Sequence, residues 1–391
     1  MFENKLAERM GFLHNESAFA ILAKAKALEA QGKHIVHLEI GQPDFKTPQN
    51  IIAAACRALN EGYTEYSPTP GYPETRQAIA EYAARHKRIK TAMEEVVVVP
   101  GAKPIIFFST LMLINPGDEV VYPNPSFPIY ESCIRFAGGV PIPLRLSAKN
   151  DFRLDLNEFK KLITPKTKMI FINSPSNPTG GVFTRSDIEA MAEILKDRPD
   201  IFILSDEIYD RLIFEGDVCS MASLPGFKDR TIILDGFSKT YAMTGWRLGY
   251  GIMHPELAAQ MELLVVSSNS CTASFTQIAG IEALNGPQDA VDEMRAAFIE
   301  RRDYLVGALN SIDGITCCLP QGAFYVFPDI SSFGLPDKLF AERLLDEAGV
   351  AAAWGSSFGA FGEGHMRLSY ANSLENIKIA VDRIEKFTKG L

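Results

Sequence analysis

The chain has 391 residues, a length that suggests two or three domains. Hydrophobic residues make up 47% and charged residues 22% of the sequence, which is typical of a globular protein and excludes disordered, collagen-like and coiled-coil proteins. The net charge of −9, without a basic stripe, argues against nucleic-acid binding and against attraction to an anionic membrane surface.

Neither a targeting signal nor a membrane span is evident in the sequence. No apolar core follows residues Met1–Lys5, which argues against a signal peptide. The longest apolar stretch, residues 105–114, is interrupted by Ser109 and Thr110 and is shorter than the roughly 18 residues that a membrane span needs. We therefore expect a cytoplasmic protein that does not bind membranes.

Cysteine and histidine usage gives no sign of a disulfide scaffold or of a metal site. The six cysteines include no Cys-x-x-Cys pair, so we expect free thiols. The six histidines are scattered, and the closest pair, His34 and His37, precedes a predicted strand. We expect no metal.

The first part of the chain predicts mainly helices. Helical periodicity covers Ala18–Gln31, and Gly32 is a typical helix stop. Alternation over Ile35–Ile40 predicts a strand, and Gln49–Asn60 and Tyr72–Arg88 predict two further helices.

From Glu95 onward, short apolar runs alternate with helical patterns. The predicted strands are Val96–Val99, Glu119–Tyr122, Lys168–Asn173, Ile201–Ser205, Thr231–Asp235 and Arg247–Ile252. The predicted helices between them are Pro104–Ile114, Ser126–Phe136 and Ser186–Lys196. Continuous apolar strands separated by helices indicate a mostly parallel sheet that helices cover on both faces.

The pattern changes after Asn285-Gly286-Pro287. Helices are predicted at Gln288–Ala308, Lys338–Ala348 and Leu374–Phe387, and alternating segments at Gly314–Leu319, Ala323–Phe327 and His365–Ser369. The fold class predicted is α/β, with a large domain around a mostly parallel sheet and a smaller α+β domain. We place an N-terminal arm and part of the small domain at 1–45, the large domain at 46–286 and the C-terminal small domain at 287–391.

Chemically versatile side chains follow several predicted strands, at the edge where open parallel sheets bind ligands. Gly101-Ala102-Lys103 follows the first of these strands and opens a helix whose free N–H groups can bind an anion. Two X-Pro units hold the loop around Asn177 extended. Asp206 follows another strand, and Tyr209 comes three residues later.

The most unusual of these residues is a lysine beyond the end of a buried strand. Burial makes an ammonium group a better nucleophile for carbonyls, which gives Lys239 a chemical use. Arg247, eight residues later, suits a phosphate. Each feature has an ordinary explanation by itself: a strand-to-helix turn, a loop, a helix cap or a surface lysine.

Together these residues match the needs of pyridoxal 5′-phosphate (PLP). The aldehyde of this cofactor needs a lysine, its pyridinium nitrogen needs a carboxylate, and its phosphate needs N–H groups and an arginine. An amide and a phenol can hydrogen-bond its ring oxygen. The sequence therefore predicts a PLP site at this edge of the sheet.

From about Ala18 to the C-terminus, the sequence resembles the class I/II aminotransferases, which have fold type I of the PLP enzymes, and in particular their prokaryotic aspartate aminotransferase branch. The segments that carry the resemblance are Gly41–Phe45, Tyr66–Gly71, Asn173–Gly180, Ser205–Tyr209, Ser238–Gly249, Gly322–Tyr325 and Arg367–Tyr370.

The resemblance implies a role for each matching residue. Lys239, Asp206 and Tyr209 are the expected catalytic residues: the lysine forms a Schiff base with the cofactor and moves a proton, and the aspartate pairs with the pyridinium. The expected cofactor-binding residues also include Gly101, Ala102, Lys103, Phe127, Asn177, Ser238, Arg247 and, across a homodimer with shared active sites, Tyr66. Gly41, Asn177 and Arg367 are expected to bind the substrate carboxylate.

One position departs from the family pattern, since many relatives have Ser where this chain has Gly236. The resemblance implies ping-pong transfer of an amino group between an L-amino acid and a 2-oxo acid, with 2-oxoglutarate and glutamate as one pair. A carbon–sulfur β-lyase or a decarboxylase on the same fold remains an alternative, and a non-catalytic ligand-sensing module is a remote one.

The sequence constrains the preferred side chain of the amino-acid substrate less than it constrains the reaction. The apolar segment Ala18–Leu22 is expected to lie over the pocket, which favours broad or apolar and aromatic specificity. Lys103 or Arg135 remains a candidate partner for an acidic side chain.

Overall fold

The computed structural model describes residues 6–13 and 17–391. Residues Met1–Lys5, which bear on the signal-peptide prediction, lie outside the described residues. Among the described residues, no helix has the length and apolar character required to cross a membrane.

Helices and strands alternate along the chain. The α-helices are α1 Ser17–Glu29, α2 Gln49–Asn60, α3 Pro73–Tyr82, α4 Lys103–Leu113, α5 Ile129–Phe136, α6 Leu156–Leu162, α7 Arg185–Leu195, α8 Pro255–Ser268, α9 Ser274–Asn285, α10 Asp289–Asn310, α11 Asp337–Arg343 and α12 Leu374–Thr388. The strands are β1 Val36–His37, β2 Val96–Val99, β3 Glu119–Asn124, β4 Val140–Arg145, β5 Thr167–Asn173, β6 Phe202–Asp206, β7 Thr231–Gly236, β8 Gly249–Ile252, β9 Tyr325–Val326, β10 Val350–Ala351, β11 Ala353–Trp354 and β12 Met366–Ser369.

A seven-stranded sheet organises the structure, in the order β2-β8-β7-β6-β5-β3-β4. Strand β8 runs antiparallel to β2 and β7, and the remaining pairs are parallel. Alternate residues of the strands enter apolar clusters on the two faces, as Phe171 and Ile172 do on β5. Burial on both faces explains why these strands are continuous apolar runs. The prediction of an α/β fold with a mostly parallel sheet is confirmed.

Two smaller sheets involve the ends of the chain. Strand β1 pairs with β10, and β12 lies between β11 and β9. Within this region, the strand predicted over Ile35–Ile40 is wrong beyond His37. The carbonyl oxygens of Glu39 and Gly41 accept hydrogen bonds from the Arg367 and Lys239 side chains, so they do not continue a ladder.

Three other predicted elements also differ from the structure. The Gly314–Leu319 segment forms only an isolated bridge at Thr316, because the backbone of Cys317 hydrogen-bonds with the Asn310 side chain. The helix predicted from Ser126 begins at Ile129, after Pro128, which restricts the backbone of the residue before it. Strand β8 begins at Gly249, because Arg247 has a left-handed φ of 54°.

The helix predicted over Tyr72–Arg88 is interrupted. The α-helical geometry of α3 ends at Tyr82, and a π-helical turn over Ala83–Lys87 follows it. This turn carries Lys87, whose side chain is only 3% exposed, beneath the main sheet. The division into domains at residues 45 and 286 stays a prediction.

Candidate active site

A cavity of about 480 Å³ lies at the carboxyl edge of the main sheet. Most of the predicted site residues line it: Gly41, Ala102, Lys103, Phe127, Asn177, Asp206, Tyr209, Ser238, Lys239, Arg247 and Arg367. Gly101 lies against Arg247 beside the cavity. Tyr66 does not line the cavity of its own chain, and 88% of it is exposed.

The topology of the sheet brings these residues together. Asn173 and Asp206, the last residues of β5 and β6, are neighbours in the register, and Asp206 pairs with Leu234 of β7. Because the strands are parallel, their carboxyl ends meet at one edge. The loop after β7 therefore places Lys239 beside Asp206, as the sequence predicted.

Asp206 is buried and receives hydrogen bonds from neutral donors. The Tyr130 hydroxyl donates to Oδ2 at 2.6 Å, and the Ile208 N–H donates to Oδ1 at 3.2 Å. Burial raises the pKa of Asp206 to about 6, and these two hydrogen bonds limit the rise. The carboxylate therefore ionises above about pH 6 and can then pair with a cation in the cavity.

Lys239 and Tyr209 occupy the centre of the cavity. The Lys239 ammonium donates to the Gly41 carbonyl and lies 5.9 Å from the centre of the Tyr209 ring. The Tyr209 hydroxyl is 2.8 Å from the hydroxyl of Tyr325. A Cβ on Gly41 would lie 2.3 Å from that Tyr325 hydroxyl, so the close approach requires glycine.

Arg367, on β12, is buried at the wall of the cavity. Its Nη1 donates to Asn177 Oδ1 at 3.0 Å, and its Nη2 donates to the Glu39 carbonyl. Its guanidinium carbon lies 4.6 Å from the centre of the Tyr325 ring and 4.9 Å from that of Phe358. Such aromatic contacts fix the plane of the guanidinium fork, which can then bind a carboxylate with two hydrogen bonds.

The start of α4 and the loop after β7 form an anion-binding cradle. Gly101 has a φ of +77°, and a Cβ there would lie 2.0 Å from Nη2 of Arg247. Gly249 also packs closely, since a Cβ there would lie 2.5 Å from the backbone nitrogen of Ala102. The free N–H groups at this helix start, the Ser238 hydroxyl and the arginine suit a phosphate group.

The position where many relatives have Ser is tightly packed in this chain. A Cβ on Gly236 would lie 3.0 Å from the Cα of Gly249 and 3.1 Å from the carbonyl oxygen of Leu248. A larger residue there would press on β8. The cradle therefore depends on Arg247, Ser238 and the backbone rather than on a side chain at position 236.

Part of the cavity lining is apolar and includes Ala18, Phe19, Ile40 and Ile106. The Lys103 ammonium lies 5.2 Å from the centre of the Phe127 ring.

The other cation that the sequence offered for an acidic side chain lies elsewhere. Arg135 is outside the cavity lining and pairs with Glu131 at 2.8 Å. Of the two candidates, the structure brings only Lys103 to the cavity.

Sequence reasoning missed two residues that contact the predicted set. Tyr130 donates to Asp206, and Tyr325 joins Tyr209 to Arg367. Tyr325 ended one of the segments that carry the family resemblance, but no role was attached to it. Tyr130 follows Phe127 by three residues at the start of α5, and this spacing was the available signal.

Comparisons with known proteins identify the family of the chain. A family model described as aminotransferase class I and II matches residues 33–384. The chain is similar to an aspartate aminotransferase from Bacillus sp. (strain YM-2), with 41% identity over 98% of this chain and 99% of that protein.

Two solved structures have the same fold. One is the aspartate aminotransferase from Thermus thermophilus with maleate, with a TM-score of 0.93 at 37% identity over 97% of this chain and 99% of that chain. The other is an aromatic aminotransferase from Pyrococcus horikoshii, with a TM-score of 0.89 at 39% identity over 91% and 96%. The chain belongs to the aminotransferase class I and II family and is a PLP-dependent aminotransferase.

Proposed function

We propose that the chain transfers an amino group between an L-amino acid and 2-oxoglutarate, with Lys239 as the residue that bonds to the cofactor aldehyde. The observation that carries this proposal is the convergence of Lys239, Asp206, Arg247 and Arg367 on one cavity. When bound, PLP supplies an aldehyde and an electron-withdrawing pyridinium ring that stabilises negative charge at the Cα of the substrate.

The cavity residues fit each part of the cofactor. Gly101 approaches Arg247 closely, and Gly249 approaches Ala102 closely. A Cβ on either glycine would fill the cradle, so the two glycines leave room that suits the phosphate. Asp206 offers a buried carboxylate to the pyridinium nitrogen. Asn177 and Tyr209 would hold the ring oxygen, and Phe127 would stack on the ring.

Arg367 would orient the substrate through its α-carboxylate, with help from Asn177 and the backbone of Gly41. Lys239 would then carry the proton to and from the substrate Cα, because it lines the same cavity as Arg367. A general base must lie within hydrogen-bond reach of the proton that it takes. The buried walls of the cavity would exclude water from this transfer.

For the substrate side chain, Lys103 supports a dicarboxylic donor such as aspartate or glutamate. Its ammonium can pair with a distal carboxylate, and Arg135 cannot, because it lies outside the cavity and binds Glu131. A similar enzyme of known structure was solved with maleate, a dicarboxylate, and others are named aspartate aminotransferases. We therefore propose dicarboxylic acids as the principal substrates.

The apolar part of the cavity lining supports a second group of donors. Phe19, Ile40 and Ile106 would contact an apolar or aromatic side chain, and an aromatic aminotransferase is among the similar structures. This retains the broad or apolar specificity that the sequence predicted, as an additional capacity.

Tyr66 supports a homodimer with shared active sites. This residue is exposed on its own chain, although its loop is held in place: the Ser274 hydroxyl donates to the Glu65 carbonyl, and Gln277 donates to Ser67. A fixed, exposed tyrosine is suited to contact the phosphate of a partner subunit. The cytoplasmic location stays a prediction.

The test is a specificity panel with product identification. PLP-loaded protein is assayed with aspartate, glutamate, phenylalanine, tyrosine and alanine as donors and with 2-oxoglutarate or oxaloacetate as the acceptor. We expect the new amino acid and the new 2-oxo acid in equal amounts, with the highest kcat/KM for the dicarboxylic donors. Release of ammonia and pyruvate instead would identify a lyase and overturn the proposal.

A matched variant tests the side-chain assignment separately. Lys103→Met should lower kcat/KM for aspartate about tenfold or more, because a charge-assisted hydrogen bond contributes about 1.5–3 kcal/mol. The constants for phenylalanine should change far less. Arg135→Met is the control and should change neither. Equal losses for aspartate and phenylalanine in Lys103→Met would contradict the assignment.

A further inference from the structure

A buried carboxylate lies directly behind the carboxylate-binding arginine. The side chain of Glu39 is 0% exposed, and its Oε1 lies 2.8 Å from Nδ1 of His37. Its Oε2 is also buried and, within the described part of the chain, has no hydrogen-bond partner. Burying an unpaired carboxylate is costly, so His37 must compensate most of its charge.

His37 is placed between two carboxylates. Its Nδ1 faces Glu39, and its Nε2 lies 3.1 Å from Oε1 of Glu29 on α1. A carboxylate oxygen only accepts hydrogen bonds, and a neutral imidazole has a single N–H donor. While both carboxyl groups are ionised, the two contacts are therefore satisfied only when His37 is protonated.

The segment that carries His37 and Glu39 is connected to the active site by hydrogen bonds to its backbone carbonyl groups. The Glu39 carbonyl accepts from Nη2 of Arg367, and the Gly41 carbonyl accepts from Lys239. The N–H of Ser369 donates to the Leu38 carbonyl at 2.7 Å. A shift of the Glu39 side chain would therefore move a carbonyl that orients the guanidinium group.

We propose that His37 and Glu39 are positioning residues: their buried ion pair fixes the peptide that orients Arg367, and Glu29 couples this pair to α1. Helix α1 also supplies Ala18 and Phe19 to the cavity, so one imidazolium links the carboxylate-binding side of the cavity to its apolar wall. This inference rests on the proposed role of Arg367 in binding the substrate carboxylate.

The surroundings of His37 favour its protonated form. Burial by itself lowers the pKa of His37, but the hydrogen bonds and charges of Glu39 and Glu29 outweigh it, so the pKa is raised. Lys26 lies 3.2 Å from Glu29 on α1, and the guanidinium of Arg367 lies beyond the Glu39 backbone. The apolar β10 pairs with β1, and the neutral Asn372 donates to the His37 carbonyl. Helix α12, which carries Lys378 and Arg383, also packs against β1.

The direction of the pH effect follows from the raised pKa. The charged pair is complete below the pKa of His37 and is lost as the pH rises through it. We therefore expect KM for both the amino acid and the 2-oxo acid to rise as the pH rises through this pKa, since both carry an α-carboxylate. The change in kcat should be smaller, because the reacting groups are untouched.

The test compares two single variants with the double variant in the PLP-loaded protein. In His37→Gln the buried Glu39 charge remains uncompensated, so both KM values should rise about tenfold, as for a misplaced binding group. Glu39→Gln and His37→Gln/Glu39→Gln also lose the ion pair but leave no buried carboxylate, so KM should rise less, by about three- to fivefold, and should lose its pH dependence. Parental KM values in Glu39→Gln and in the double variant, or a double variant more impaired than His37→Gln, would overturn the proposal.

A second readout does not depend on activity. Nuclear magnetic resonance titration of the imidazole groups should give His37 a pKa above about 6.5 in the parent protein and a lower pKa in Glu39→Gln. A pKa that does not change in Glu39→Gln would contradict the pair. Arg367→Lys, assayed in parallel, tests the underlying role: if its KM values are unchanged, the carboxylate role fails, whatever the behaviour of His37.

Discussion

Two buried charge clusters lie on opposite faces of the same sheet edge, and they are built differently. On one face, Asp206 and Lys239 line a cavity of about 480 Å³. On the other, the Lys87 ammonium lies 3.0 Å from Glu207, 2.5 Å from Asp210 and 2.8 Å from Asp235. Side chains alternate across a strand, which is why Asp206 and Glu207 serve different clusters.

The difference lies in what compensates the charges. Around Lys87, carboxylates of the chain itself surround the ammonium, and the Tyr250 hydroxyl also donates to Asp235. Around Asp206, the donors are the neutral Tyr130 hydroxyl and Ile208 amide, and Lys239 donates to a backbone carbonyl. In the rear cluster, around Lys87, the ammonium contacts carboxylates of the chain itself, whereas the front cluster, around Asp206 and Lys239, borders a cavity that a ligand can enter. Substitutions of these two lysines should therefore have opposite effects on stability and turnover.

The largest expected effect is that of Lys239→Ala. Turnover should fall by at least about 10⁴-fold, because the variant loses both the amine that bonds to the cofactor aldehyde and the group that carries the proton. The thermal midpoint of the cofactor-free protein should change little. Transaminase assays and calorimetry measure the two quantities, and residual turnover within tenfold of the parent would remove Lys239 from the mechanism.

Lys87→Met should show the reverse pattern. Removing one partner of a buried ion cluster costs about 3–5 kcal/mol of stability, because the carboxylates are left unpaired. Burial and the nearby Asp210 already raise the pKa of Asp235 to about 7, and loss of the ammonium should raise it further.

Urea denaturation of the cofactor-free variant measures this loss, with the exposed Lys26→Met as its control. Once folded, Lys87→Met should keep turnover far above that of Lys239→Ala. Unchanged stability would mean that the rear cluster does not contribute to the fold as described.

A smaller effect is expected from pH acting on Asp206. Because burial raises its pKa to about 6, the carboxylate is ionised above that value and protonated below it. PLP affinity should therefore weaken as the pH falls below about 6. In Asp206→Asn the affinity should be lower throughout and should lack this step, and turnover should fall about 10²–10³-fold, as for the loss of a preorganised charge contact. Cofactor titrations across pH measure the step, and an identical step in Asp206→Asn would assign it to another group.

The smallest effect is expected from Tyr130→Phe. This variant removes one hydrogen bond to the carboxylate and keeps the ring, so the pKa of Asp206 should rise by about one unit. The pH step in PLP affinity should move upward by the same amount, with little change in affinity well above it. The same cofactor titrations measure the shift, and a step that stays at the parental pH would exclude Tyr130 as a modulator of Asp206.

The sequence predicted the strands that have a clear local pattern and the site residues that follow the ends of those strands. The continuous apolar runs of β5, β6 and β7 located the sheet, and the residues after them located Asn177, Asp206 and Lys239. The edge strand β4 was missed, because it contains Pro141 and Pro143 and exposes much of its length.

Long-range pairs carried no comparable signal. Lys87 and Asp235 are 148 positions apart, and Tyr130 and Asp206 are 76 apart, so no local pattern predicts that they meet. His37 was weighed only as a metal ligand, because its second carboxylate comes from another element. The structure was needed to reveal which buried charges the chain compensates itself.

The most direct test of the front cluster is the absorbance spectrum of the PLP-loaded protein through one half-reaction. Aspartate or glutamate is added without a 2-oxo acid, and 2-oxoglutarate or oxaloacetate is added afterwards. We predict that the donor converts the cofactor to its amine form, that the acceptor restores the starting spectrum, and that Lys239→Ala shows neither change at a comparable rate. A spectrum that no donor changes, or the same rates in Lys239→Ala, would contradict the assignment of this cavity as the transamination site.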